Sequence, residues 1–303
     1  MIIRLAITAV ILALLARGID FGDSARAIAS IDLRYLALVL ALVAVDRCVM
    51  IWRWILLLRS SGIAITNAAA ARLFLVSSFV GSFLPAGVGA DAARAYGLSR
   101  ETTSGSEALA SVAIDRLLGV MSITVMAMVG VSAWPPASRD WRFIAAVIAM
   151  MILCRAMLSA TWWIRTLIPT RFHDRSIVKR MLRLGDALGR YRHRRQVLAH
   201  VMIWSLAVQL LRITQAYYLG VGLGLTVPYS YYLLFMPIGL LMLLLPISIS
   251  GFGVPQGVIV WLLRPMGIPD AQSFALSTLI VLTGLAGNVP GLWLWLRQRR
   301  EIL

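Results

Sequence analysis

The chain has 303 residues, 60% of them hydrophobic and 14% charged, with a mean hydropathy of +0.84 and a formal net charge of +16. These values exclude an ordinary soluble enzyme and indicate one polytopic membrane domain spanning 1–303. The basic excess does not indicate nucleic acid. Residues 155–195 hold ten Arg and Lys179 against Asp174 and Asp186, between two apolar runs, where basic residues mark the cytoplasmic side and attract anionic lipid heads.

In chain order, Ile2–Ala16 is a short apolar run behind Arg4, expected to be retained as a first span rather than cleaved. Gly18–Arg34 reads as a polar link. Tyr35–Leu58 is a span interrupted by Asp46, Arg47 and Arg53, and Gly62–Asn67 is a turn. Ala68–Leu84 enters the bilayer and meets a break at Pro85, Gly87 and Gly89. Asp91–Glu107 then returns as a polar segment, so a re-entrant hairpin is expected. Ala108–Ala133 is a span closed by Trp134-Pro135-Pro136, and Phe143–Ala160 is another. The basic segment, 155–197, follows. Its Ile177–Leu188 part carries apolar residues at helical spacing, as expected of a helix lying on the membrane surface.

His200–Leu225 is a span carrying Gln209, Arg212 and Gln215. Tyr229–Leu263 contains a second break at Pro246, Gly251 and Gly253, and Ala271–Leu296 is the last span. Irregular backbone at bilayer depth is tolerated where protein or a wet cavity satisfies it, and one such break per half points to a binding site. The expected fold is therefore all-α and polytopic, with about six to eight transmembrane helices, two broken or re-entrant hairpins inserted from opposite faces, and a possible inverted repeat. Both termini fall on the cytoplasmic side of a bacterial inner membrane.

A charged side chain at mid-bilayer costs roughly 2.5–3.5 kcal/mol on insertion scales, so each needs a reason. Asp46 and Arg53 share a helix face two turns apart. Asp91 and Arg94 are spaced to pair locally. Asp115 and Arg116 point roughly 100° apart on a helix, so one can face a cavity while the other reaches the interface. Ser111, Asp115, Gly119 and Ser122 form one stripe, and Ser205, Gln209 and Arg212 another. Inter-helix pairing that only fixes the bundle, or snorkelling, is the alternative for Arg116, Arg155 and Arg264.

No nucleotide loop, metal-spaced His or Cys set, or nucleophile motif is present, so no catalytic residue, metal or cofactor is expected. Cys48 and Cys154 read as buried small hydrophobes.

Phe83-Leu84-Pro85 with Gly89-Ala90-Asp91-Ala92-Ala93-Arg94, then Ser111-Val112-Ala113-Ile114-Asp115-Arg116-Leu117-Leu118-Gly119, then Pro246-Ile247-Ser248 with Gly251-Phe252-Gly253, form three ordered motifs. They resemble the flippase-like family typified by the transmembrane flippase region of bacterial lysylphosphatidylglycerol synthases. In that family the first motif usually reads Gly-Gly-Asp-x-x-Arg and the last ends in Glu, whereas Ala90 and Gln256 stand here.

The resemblance implies lipid flipping or handling without lysyl transfer, since the chain has no room for an aminoacyl-transferase domain. The expected substrate is a polar-headed lipid such as a phospholipid, glycolipid or hopanoid precursor. Its candidate contacts are Arg53, Asp91, Arg94, Ser111, Asp115, Arg116, Arg212, Ser248, Ser250 and Gln256. Arg53, Arg94 and Arg212 would neutralise the head, and Asp91 and Asp115 would hold those arginines or bind a cationic part. The alternative is a membrane-embedded lipid-modifying transferase, or an accessory subunit of one, using Asp91 or Asp115 as acid/base. Membrane lipids with anionic or polar heads, further copies of the chain, and lipid-biosynthesis proteins are the expected partners.

Overall fold

A computed structural model describes residues 20–84, 88–101, 105–167, 176–192, 194–243 and 254–302. The described residues are helical, without strands. The chain is an all-α polytopic membrane protein. Leu33–Ser60, Gly105–Ala133, Arg195–Gly222 and Asp270–Arg297 are long and apolar enough to cross a membrane, and Val147–Ala156 and Tyr229–Leu241 are shorter apolar stretches.

The expected polar link before the first described span is partly a helix, α1 (Phe21–Ala29), because the Asp20 carboxylate accepts from the Gly22 and Asp23 amides. Asp32 caps α2 (Leu33–Ser60) in the same way, and Thr66 caps α3 (Asn67–Ser82). Asp32 also donates its amide to the Gly222 carbonyl at 3.0 Å, tying the start of α2 to the end of α9 (Arg195–Gly222). Both of these central helices are followed by a glycine in the left-handed region, Gly62 at φ 80° and Gly224 at φ 75°.

Helices α3 and α4 (Val88–Glu101) form an antiparallel pair in which Gly81 abuts Ala90 and Gly97 abuts Leu73. With 16 and 14 residues, these arms are about 24 and 21 Å long, short of the ~30 Å hydrocarbon core. The first hairpin is thus re-entrant in its dimensions. Its break at Pro85 and Gly87 lies outside the described residues. Helix α5 (Gly105–Ala133) returns antiparallel to α4, and α6 (Pro135–Ser138) turns the chain into α7 (Trp141–Leu167).

Helix α8 (Ser176–Arg192) carries the basic segment and docks by Ala187, Leu188 and Tyr191 against Leu57, Ile114 and Leu118. The Tyr191 hydroxyl donates to the Leu57 carbonyl at 3.4 Å, and burial pushes its phenol up to about 12. Arg190 pairs with Glu107 at 2.7 Å, which sets α8 on the face where α2 ends and α5 begins.

The second hairpin has arms α10 (Tyr229–Leu243) and α11 (Val254–Leu263), packed antiparallel, with the Tyr231 hydroxyl donating to the Leu262 carbonyl. It starts from the face opposite the first hairpin, as expected. Its break at Pro246, Gly251 and Gly253 lies outside the described residues.

The last span, expected over Ala271–Leu296, is made of two helices, α12 (Asp270–Ala286) and α13 (Val289–Ile302). Gly287 and Asn288 interrupt it, directly before Pro290, whose ring disfavours helical backbone in the preceding turn.

The packing has inverted two-fold logic. Helices α2 and α9 cross each other at the centre. The first arm of each hairpin packs on the span that follows the other hairpin: α3 on α13, and α10 on α5. Both crossings are made by a glycine against backbone. A Cβ on Gly130 would run into the Leu233 carbonyl, and one on Gly291 would run into that of Leu75. Such contact lets helices approach closely where no hydrophobic force drives them together.

Candidate functional site

Seven residues separate Asp46 from Arg53 on α2, and seven separate Ser205 from Arg212 on antiparallel α9. The two spacings interlock. Arg53 Nη1 donates to Ser205 Oγ at 2.9 Å, and Arg212 Nε donates to Asp46 Oδ1 at 3.2 Å. One turn away, Gln209 Nε2 donates to Ser122 Oγ of α5 at 3.2 Å.

From this crossing an alternating chain of charges runs through α4 and α5. Arg53 Nη2 lies 2.9 Å from Asp115 Oδ1, and Arg94 Nη1 lies 3.2 Å from Asp115 Oδ2. Arg94 Nη2 then reaches Asp91 Oδ1 at 3.4 Å, and Asp91 Oδ2 meets Arg116 Nε at 3.5 Å. Arg94 also lies against Phe74, 4.4 Å from its ring centroid, and Trp54, 5.3 Å. A guanidinium suits this position, because its planar fork serves two carboxylates while its face rests on rings.

A second, shorter chain lies on the other side of Arg212. Asp46 holds Arg212 through one oxygen and, at 4.0 Å, Arg47 through the other. Arg47 reaches across to donate to the Gly284 carbonyl at 3.2 Å, near the interruption of the last span. There Asn288 Nδ2 donates to Ser82 Oγ at the end of α3, 2.8 Å away. Each of the three aspartates therefore faces two arginines, one per carboxylate oxygen.

Two cavities adjoin these chains. The smaller, about 80 Å³, is walled by Arg53, Asp91, Arg94, Asp115, Arg116, Gly119, Gln209 and Arg212 among others. The larger, about 280 Å³, is walled by Asp46, Arg47, Arg212, Gln215, Gly284 and Asn288, with Met236 and Leu240 from α10. Arg212 belongs to both walls. The first hairpin contributes α4 to the smaller cavity and, through Ser82, holds the Asn288 that lines the larger one. The second hairpin contributes α10 to the larger cavity.

Arg53, Asp91, Arg94, Asp115, Arg116 and Arg212 are thus brought together around the smaller cavity. Ser111 is buried and donates its hydroxyl back to the Ala108 carbonyl, away from both walls. Gln256 is buried on α11 and lines neither cavity. Gly89 stands on α4 against Leu84. Ser248 and Ser250 lie outside the described residues. Arg264 belongs elsewhere, in a bidentate pair with Asp270 at 3.1 and 2.6 Å.

Arg53 and Arg94 line the smaller cavity from buried positions. They are only 3% and 4% exposed, and they are already committed to carboxylates. Sequence reasoning passed over Arg47 and Asn288 as site residues. Asn288 had a signal in Gly-Asn-Val-Pro-Gly, a helix-breaking run inside a span. Among the described residues no group of three or more His, Cys, Asp or Glu is arranged to hold a metal ion.

An all-helical polytopic bundle with an arginine–aspartate network between two inserted hairpins defines a multi-pass membrane protein. No curated protein matches the chain. The family described as lysylphosphatidylglycerol synthase TM region matches residues 1–290, and the chain belongs to that family. Membership implies a membrane, lipid-related function.

Proposed function

We propose that the protein translocates a polar-headed lipid between leaflets, in a bacterial inner membrane and with both termini cytoplasmic. One observation carries this proposal. Charged side chains from α2, α4, α5 and α9 meet in the apolar interior and border two cavities that share Arg212, between hairpins inserted from opposite faces. A buried ionic network is expensive in hydrocarbon and weak as a source of stability, so a polar path explains it better than scaffolding does. The acyl chains remain in the bilayer while the head passes from one cavity to the other.

The transferase alternative has less support. Asp91 and Asp115 would have to act as acid/base, yet the oxygens of each already face two guanidiniums.

The test is leaflet-resolved quenching of labelled phospholipid in vesicles containing the purified protein. Wild type is expected to accelerate exchange between leaflets, and Asp115→Ala to abolish the acceleration. Equal rates for the two proteins overturn the proposal.

A further inference from the structure

We infer that the larger cavity is a station for a single anionic head group of the phosphate class, and that it disfavours aminoacylated, ammonium-bearing heads. This inference rests on the lipid-handling reading above and narrows it to a substrate class.

The argument is one of charge and of open donors. In the smaller cavity Asp91 and Asp115 offset Arg53 and Arg94; of the two remaining arginines, Arg116 has a 42% exposed side chain that solvent can screen, and Arg212 is shared with the larger cavity, where it pairs with Asp46. The larger cavity has no such balance. Asp46 is its single carboxylate among the described residues, and Arg47 and Arg212 both face it, leaving one guanidinium in surplus.

Asp46 is 2% exposed and faces Arg212 at 3.2 Å and Arg47 at 4.0 Å, so an ammonium group would compete there with two guanidiniums. Donors, by contrast, stand open. Arg47 Nε and Gln215 Nε2 are buried without a hydrogen-bond acceptor among the described residues. A buried donor without an acceptor is costly, and an anionic oxygen is the group that relieves it.

A phosphodiester supplies one negative charge for the surplus guanidinium and oxygens for both donors. A lysylated head adds two ammonium groups to a wall that is already positive. The cavity, about 280 Å³, accommodates a head group while its acyl chains stay outside.

The test uses the full-length protein in detergent and measures binding by thermal shift with four probes: dioctanoyl phosphatidylglycerol, its lysyl ester, dioctanoylglycerol and inorganic phosphate. The anionic lipid is expected to bind at least about tenfold more tightly than the lysyl ester, the scale of one charge-assisted hydrogen bond. Dioctanoylglycerol is expected to give no saturable shift. Arg47→Gln is expected to weaken the anionic lipid by about tenfold on the same scale.

Because Arg47→Gln also disturbs the Asp46 chain, Gln215→Glu provides a second variant. It adds a carboxylate to the wall and is expected to weaken the anionic lipid while tightening the lysyl ester. A phosphate shift equal to that of the anionic lipid supports the anion station and assigns it to free phosphate.

A lysyl ester that binds wild type as tightly as the anionic lipid overturns the inference. So does unchanged anionic affinity in both variants. Leaflet exchange measured on the same preparations separates the two proposals. Exchange with a preference for the lysyl ester leaves transport standing and removes the station. Selective anionic binding without exchange does the reverse.

Discussion

Asp115 is the keystone of the longer charge chain because it ties a guanidinium of α2 to one of α4, taking Arg53 on one oxygen and Arg94 on the other. Replacing it with Asn keeps the shape and removes the compensation for two buried guanidiniums. Breaking a buried pair from one side typically costs about 3–5 kcal/mol. Asp115→Asn is therefore expected to lower thermal stability in detergent sharply, whereas Arg116→Gln, at the exposed end of the chain, is expected to change it little. Comparable melting temperatures for the two variants would remove Asp115 from this role. That Asp91, Arg94 and Asp115 need partners was legible in the sequence, because a charge in an apolar setting needs one. Which partner was not legible. The spacing of Asp46 and Arg53 fixes a helix face but says nothing about which helix lies opposite, so their pairing with α9 emerges only from the fold.

At the scale of elements, the two hairpins were readable from their proline and glycine breaks. The interruption of the last span was written in the same residue types, but the long apolar run on both sides of Asn288 concealed it. The matched crossings were also hidden, since Gly130 and Gly291 look like ordinary glycines in apolar helices until the opposing carbonyls are seen. A methyl group at either position meets backbone, which cannot swing aside as a side chain can. Gly130→Ala and Gly291→Ala are each expected to destabilise the fold by about 1–3 kcal/mol, the usual range for overpacking. Gly119→Ala, where nothing lies within 4 Å, is the control, and chemical unfolding in mild detergent reads the comparison. Equal stability for all three would show that the paired crossings are not close-packed.

For the whole molecule, the alternation of faces along the chain was set by hydropathy and by the basic segment near α8. The inverted relation between the halves shows instead in which helix packs on which. Single cysteines, introduced after Cys48 and Cys154 are replaced, test the arrangement. Exposed positions Arg59 and Arg100 are expected to react from the cytoplasmic side, and Ser30 and Ser138 from the opposite side. Labelling of Arg100 from the same side as Ser138 would overturn this alternation of faces.

The unmatched guanidinium beside Asp46 has an electrical consequence. A fixed charge within the bilayer feels the membrane voltage, worth about 2.3 kcal/mol per elementary charge for each 100 mV traversed. A singly negative cargo seated there cancels that charge, so the loaded carrier would be nearly indifferent to the field. The empty site would remain sensitive to it, which makes entry of the head group the step that polarising the membrane speeds or slows.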